Sequence, residues 1–223
     1  MYRILKRLLD LLIAIVALLI FSPLLIPVMI MLRLTGEGEI FYAQERIGQN
    51  NKPFQILKFA TMLKNSPNMG TGDVTVKGDS RVLPFGKWLR KTKINELPQI
   101  FNVLNGSMSI VGARPLVDVS FNQYPQEVKK VIYNTPPGIT GIGSLIFRDE
   151  ENIIDRSGMD PRKFYQENIL PYKGQVEVWY QKNKSIFVDI AIIILTAWSI
   201  IFSKSNLVYK IFKSLPEKPS VLN

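Results

Sequence analysis

A mostly helical chain with a little strand, entered through an apolar helix that dips into a membrane and returns, is what this sequence predicts. Three observations carry that reading. An uncharged run from Leu11 to Leu32 opens the chain and contains Pro23 and Pro27. Apolar residues then recur at helical spacing through Leu97, Ile100, Phe101 and Leu104, and an amphipathic pattern covers Pro161 to Lys184. Strand candidates are short, the clearest being Ile40-Phe41-Tyr42.

The apolar run is long enough to span a bilayer. It has neither the short core nor the small-residue cleavage site of a signal peptide. Pro23 removes a backbone donor and clashes with the carbonyl four residues back, and Ser22 favours a bend by bonding a nearby carbonyl. Arg3, Lys6 and Arg7 precede the run, and Arg33, Arg46 and Lys52 follow it, so loop charge assigns no orientation. A kinked hairpin broken at Ser22-Pro23, re-entering one leaflet, satisfies both ends better than a span.

Composition narrows the chemistry. Among 223 residues there is no Cys and no His. That excludes disulfides, thiolate nucleophiles, Cys/His zinc sites, Ser-His-Asp triads and imidazole acid-base work. Carboxylates, Lys, Arg, hydroxyls or an oxygen-ligated metal such as magnesium are left. The formal charge of +10 favours an anionic partner. The basic residues show no aromatic-interleaved repeat or helix-turn-helix pattern, so nucleic acid is not the expected one.

The stretch from Arg90 to Leu116 is the centre of the functional reading. Lys87, Arg90, Lys91 and Lys93 converge on one acid, Glu96, beside an amide, Asn95. Cations gathered at a carboxylate suit phosphate-and-metal chemistry; a surface helix with a basic first turn is the plainer alternative. Asn105-Gly106 ends the helix, and Gly112-Ala113-Arg114-Pro115 forms a turn that holds Arg114 close.

Elsewhere the signals are more local. Gly36-Glu37-Gly38 and Asn50-Asn51 predict turns, Phe54 to Met62 is apolar-rich around Lys58, and Ser66 to Gly72 predicts a mobile polar loop. Leu83-Pro84-Phe85-Gly86 introduces a helix that reaches Arg90. A helix is expected over Val117 to Tyr133, then a tight turn at Ile139-Thr140-Gly141-Ile142-Gly143 whose amides could approach a phosphate. Arg148 precedes Asp149-Glu150-Glu151, either a solvated helix start or spare acids for a metal. Trp179, Tyr180 and Trp198 suit a membrane interface. Ile186 to Phe202, broken by Asp189, predicts a helix lying on or in the same leaflet. The tail, with Lys204, Lys210, Lys213 and Lys218, predicts a loose segment over anionic lipid.

Taken in order, these motifs resemble a known family. They are Lys6-Arg7…Asp10, Ser22-Pro23, Arg46-x-Gly48, Lys58-Phe59-x-Thr61-Met62, Asp79-x-Arg81 and Gly86-x-x-Leu89-Arg90-Lys91. They continue with Glu96-Leu97-Pro98-Gln99, Phe101-Asn102-Val103-Leu104, Met108-Ser109, Gly112-x-Arg114-Pro115 and Pro137-Gly138-Ile139-Thr140-Gly141. The chain resembles the small monotopic phosphoglycosyl transferases, bacterial sugar transferases that start glycan assembly on polyprenyl phosphate.

The resemblance implies a compact α/β-type domain, mostly helical with a small sheet. It would sit on the cytoplasmic face of the bacterial inner membrane behind a re-entrant helix at 1–34, with a catalytic domain at 35–184 and an interfacial helix and basic tail at 185–223. It implies transfer of a sugar-1-phosphate from a UDP-sugar to polyprenyl phosphate with magnesium, among membrane lipids and ahead of downstream glycosyltransferases. Lys58, Arg90, Arg114 and Arg148 are the implied phosphate-binding cations and Glu96 the metal ligand.

Family members use an Asp-Glu dyad whose aspartate forms a covalent phosphosugar intermediate. Here the dyad position reads Asn95-Glu96, and an amide is a poor nucleophile. The family usually has an acid where Ser107 stands, a base at the place of Ala60 and Pro at that of Ala113. After Gly141 the chain reads IGSLIFRDEE in place of the usual Trp-Ala-Gln-Val pattern, with Arg148 at the family spacing. Two outcomes follow: the chemistry is rearranged around Glu96, or the fold serves as a membrane-bound binding or scaffold protein.

Overall fold

Tyr2–Leu34 forms one unbroken helix, α1, in the computed structural model, which describes residues 1–69, 79–202 and 205–222. The break expected at Ser22-Pro23 is therefore not a break in the helix. Pro23 has no N–H for Leu19 O, and the Ser22 hydroxyl donates to that same carbonyl at 3.1 Å, replacing the lost bond from within. Pro23 and Pro27 lie on the exposed side, whereas Ala14, Leu25, Val28 and Leu32 are buried.

β1 (Phe41–Ile47) and β2 (Pro53–Phe59) form a two-stranded sheet. The expected turn between them is present, with Asn50 and Asn51 at φ 56° and 58°. Next come α2 (Pro84–Lys91), a 3-10 turn (Ile94–Glu96) and α3 (Gln99–Asn105), which stops at Gly106 with φ 88°. β3 (Ser109–Val111) precedes α4 (Asp118–Phe121) and α5 (Gln126–Lys129). These two replace the single helix expected over Val117 to Tyr133, because the Pro125 ring cannot continue a helical turn. β4 (Gly138–Thr140) pairs in parallel with β3.

Where the sequence predicts a phosphate-approaching Gly-rich turn, the chain thus forms a strand and then a helix, α6 (Ile142–Ile146). The glycines there allow close backbone contact. A Cβ on Gly138 would come within 2.1 Å of Gly112 N, and one on Gly141 within 2.1 Å of Gly112 O. After α6 come α7 (Glu150–Ser157), α8 (Pro161–Phe164), a π turn (Tyr165–Ile169), α9 (Leu170–Asn183), α10 (Ile186–Ile201) and α11 (Leu207–Ile211).

The chain divides into two compact units that do not follow chain order. The first comprises Met1–Asp10, Arg46–Phe54 and the chain from Gly106 onward; the second comprises Leu11–Glu45 and Gln55–Asn105.

The core of the first unit is built on α9, which is buried on opposite sides: Tyr172, Val176 and Tyr180 on one, Gly174, Glu177 and Gln181 on another. Trp179 and Tyr180 belong to this core and not to a membrane interface. The Trp179 indole donates to Ser214 Oγ at 3.0 Å and its ring lies 5.2 Å from Phe212. The expected loose tail is a packed strap. Val208, Phe212 and Leu222 are buried, and Tyr172 OH donates to Pro216 O at 2.8 Å. Apolar burial fixes this segment despite its lysines; Lys204 is outside the described residues.

The N-terminal end of α1 is built into the same unit. Lys6 Nζ donates to Asp189 at 3.0 Å and to Val111 O at 2.9 Å. Asp10 accepts from Ser109 Oγ and Ile110 N–H, both at 3.0 Å. Tyr180 OH donates to the other oxygen of Asp189 at 2.8 Å. Asp189, which reads in sequence as a polar break in an apolar helix, is the buried counter-charge of Lys6.

Glu177 is a third buried acid of this unit, in addition to Asp10 and Asp189. Burial pushes its carboxyl up to about 7, against the pull of Lys173 and a Gly143 N–H, and Oε2 has no hydrogen-bond partner. The folded protein therefore holds a proton that the unfolded chain releases near 4.5. Stability should fall as pH rises between those values and stay flat above them, by roughly 3 kcal/mol in all. Glu177→Gln should raise the melting temperature at pH 8 but not at pH 4.5. Parallel melting curves for the two proteins across that range would remove the assignment.

In the second unit, Leu25, Val28 and Leu32 of α1 are buried with Phe59 and Leu89. Arg81 is buried against Asp79 at 2.7 Å and donates to Ser66 O and Met69 O, both at 2.7 Å. The start of the expected mobile loop is thus pinned, and residues 70–72 lie outside the described ones.

Candidate functional site

Within the second unit, three segments carry the sequence-predicted residues Lys58, Arg90, Asn95 and Glu96. Lys58 stands near the end of β2 and is half-buried. Two residues past that strand, Thr61 anchors α2: Leu83 N–H donates to Thr61 O at 3.0 Å. α2 approaches so closely that a Cβ on Gly86 would meet Thr61 O at 2.2 Å. Arg90, in the last turn of α2, then reaches back through Nη1 to Thr61 Oγ1 at 3.4 Å. A cation there also suits the negative end of the helix dipole.

The chain reverses at Lys93, whose φ is 61°, and enters the 3-10 turn that holds Asn95 and Glu96. Glu96 N–H closes the turn on Lys93 O at 3.0 Å, and its side chain is half-buried. Asn95 is only 8% exposed, and its Oδ1 has no hydrogen-bond partner. A buried acceptor left unsatisfied costs about 1–3 kcal/mol, so it marks a place where an incoming donor or cation would be stabilised.

All three segments rest on one support. Phe59 and Leu89 are buried with Leu25, Val28 and Leu32, and Ile94 and Leu97 pack against the same cluster. The second half of the apolar helix thus carries the strand end with Lys58, the helix with Arg90 and the turn with Asn95-Glu96.

Arg114 and Arg148 belong to the first unit. The main chain at Arg114 is held by buried Tyr133, whose hydroxyl donates to Arg114 O at 2.8 Å and accepts from Leu116 N–H at 3.0 Å. Both arginine side chains are exposed.

The spare acids are engaged. Asp149 accepts from Asn152 and lies 3.8 Å from Arg156, and Glu150 is paired with Lys173 at 2.7 Å; the Glu151 side chain is outside the described residues. Among the described residues no three acids gather into a metal cluster. Sequence reasoning assigned no role to Lys6, Asp189, Glu177 or Asn102. A charge inside an apolar run requires a partner, so Asp189 carried a usable signal, whereas Asn102 looks like any polar residue on a helix.

A family model described as bacterial sugar transferase matches residues 1–203. The chain belongs to the bacterial sugar transferase family. Its similarity to individual members is moderate and nearly end to end. It is 33% identical over 202 residues to the UDP-N-acetylgalactosamine-undecaprenyl-phosphate N-acetylgalactosaminephosphotransferase of Aeromonas hydrophila, covering 90% of this chain and 44% of that protein. To the undecaprenyl-phosphate galactose phosphotransferase of Salmonella typhimurium it is 32% identical over 209 residues, covering 87% and 40%. To the exopolysaccharide production protein ExoY of Rhizobium meliloti it is 30% identical over 216 residues, covering 90% and 87%. The chain therefore spans about two fifths of the first two relatives and most of the third. Its α11 lies beyond the residues matched by the family model.

Proposed function

We propose that this chain transfers a sugar-1-phosphate from a UDP-sugar to polyprenyl phosphate, releasing UMP, as the first membrane step of glycan assembly before downstream glycosyltransferases act. One observation carries the reading: the segments with Lys58, Arg90 and Asn95-Glu96 are all supported by the apolar helix α1. A water-soluble diphosphate and a phosphate on a lipid tail would meet at such a place. The names of the relatives, two of them undecaprenyl-phosphate phosphotransferases, support the same substrates.

In this reading Lys58 and Arg90 neutralise the diphosphate, and Arg114 and Arg148 are further phosphate-binding residues. A phosphate oxygen of the lipid forms a bond to the sugar-bearing phosphorus. The phosphorus–oxygen bond to UMP breaks, and UMP leaves with the electron pair. Asn95 forms no covalent intermediate, since its amide is not a nucleophile. The residue types fit magnesium: Asn95 Oδ1 is a buried oxygen without a partner, and Glu96, the next residue of the same 3-10 turn, carries a carboxylate. Glu96 would hold the ion with help from that oxygen, and the bound ion would offset phosphate charge.

The proposed location is the cytoplasmic face of the bacterial inner membrane, with α1 re-entrant. It is supported by the stripe Lys6, Asp10, Ala14, Leu25, Val28 and Leu32, buried by protein, while Leu12, Leu19, Ile20, Ile26 and Ile30 are exposed. α10 repeats the pattern: Asp189, Ile192 and Leu195 are buried, and Phe187, Ile190, Ile194, Trp198 and Ile201 form an exposed apolar stripe. In a chain without cysteine, single cysteines at positions 3 and 37 can be labelled in intact cells. Labelling of only one of them from outside would mean that α1 spans the membrane.

Radiolabelled UDP-sugar mixed with polyprenyl phosphate, magnesium and the protein should release UMP and label the lipid. UDP-sugar binding without UMP release would instead make this a binding member of the family.

A further inference from the structure

Asn102 joins the two segments that the proposed reaction uses. It lies on α3, the helix that leads out of the Asn95-Glu96 turn, and is only 5% exposed. Its Oδ1 accepts from Leu57 N–H at 2.8 Å, and its Nδ2 donates to Gln55 O at 2.8 Å. Alternate residues of a strand present their polar groups to the same edge, so one side chain satisfies two consecutive positions on that edge of β2. Among the described residues β2 has only β1 as a strand neighbour, and the carboxamide takes the place of a second one. Only an amide side chain offers an acceptor and a donor side by side for this purpose. The clamped residues end at Leu57, and Lys58 follows directly.

We propose that Asn102 is a positioning residue: it fixes the strand that carries Lys58 against the helix that begins beside Glu96. The proposal rests on the reading of Lys58 as a phosphate-binding cation. Lys58 is the cation it acts on; Arg90, on α2, has a bond of its own to Thr61 Oγ1 at 3.4 Å. Asn102→Ala removes both bonds. Asn102→Asp keeps the acceptor for Leu57 N–H and turns a second oxygen toward Gln55 O.

The test is a double-mutant cycle in the UMP-release assay, with UDP-sugar binding measured alongside. Asn102→Ala should raise KM and Kd for UDP-sugar about tenfold, which corresponds to ~1.4 kcal/mol, with a smaller change in kcat. In a Lys58→Ala background the same substitution should change neither constant further, since the cation it positions is gone. If Asn102→Ala does not fold, Asn102→Asp serves in the same cycle, because it retains size and one bond. Multiplying effects of the two substitutions overturn the proposal. So does a variant with a lower melting temperature and unaltered KM. Wild-type protein that binds UDP-sugar but releases no UMP removes the reaction and leaves the Kd cycle as the test. Wild-type protein that does neither overturns the functional reading and this proposal together.

Discussion

Glu96→Gln is expected to reduce UMP release by about 10²- to 10⁴-fold. Glu96 is the carboxylate of the Asn95-Glu96 turn, and the acids Asp149 and Glu150 are engaged with Asn152, Arg156 and Lys173. Glutamine keeps the size and hydrogen-bonding capacity of the side chain and removes only its charge. The loss should therefore appear in kcat with little change in melting temperature. Label transfer separates two routes. If Glu96 attacks phosphorus first, denatured protein retains labelled sugar phosphate; if the lipid phosphate attacks directly, it retains none. Asn95→Asp is the companion variant. It introduces a second negative charge in a buried position beside Glu96, which raises the pKa of one of the pair. Recovery of covalent label in Asn95→Asp from an otherwise silent protein would show that the dyad alone had been lost. Full activity of Glu96→Gln, with magnesium still required, would move the search away from this turn.

The second large effect is expected where α1 enters the first unit. Lys6 and Asp189 are 6% and 1% exposed at the side chain and 3.0 Å apart. Removing one partner of a buried pair strands the other charge and costs about 3–5 kcal/mol. For a chain of this size each kcal/mol is worth about 2–4 °C, so Asp189→Leu should melt on the order of 10 °C lower in detergent micelles. Replacing both charges, as Lys6→Met with Asp189→Leu, should recover most of the loss, because a well-packed apolar pair of similar volume removes the desolvation cost. If the double variant melts as low as the single one, the hydroxyl bonds of Tyr2 and Tyr180 to Asp189 hold the helix, and the charges do not.

The local elements were legible because their signals are local. The helical spacing through Leu97 and Leu104, the stop at Asn105-Gly106 and the turns at Gly36-Glu37-Gly38 and Asn50-Asn51 all depend on φ/ψ preferences of adjacent residues. Errors arose where a particular bond or contact overrides a local rule. Pro23 does not end α1, since Ser22 takes over the bond at Leu19 O. The glycines at Gly138 and Gly141 lie against Gly112, 26 and 29 residues earlier in the chain, and this contact leaves no mark in their own segment. The candidate site divides in the same way. Its residue types could be read as a row of cations around Glu96, but the clamp from Asn102 to Gln55 and Leu57 could not.

The sequence by itself determined which chemistries are open, by lacking His and Cys, and that an apolar helix leads the chain. Its ordered motifs also carried the family, which the match over residues 1–203 bears out. Only the tertiary structure decided which polar and aromatic groups are inside. Lys6 finds Asp189 across 183 positions of sequence, Tyr180 bonds the same carboxylate, and Trp179 is covered by a tail that reads as loose and basic. Periodicity reports which face of an element is apolar. What covers that face, lipid or protein, is settled by segments far away along the chain, because burial depends on neighbours in space.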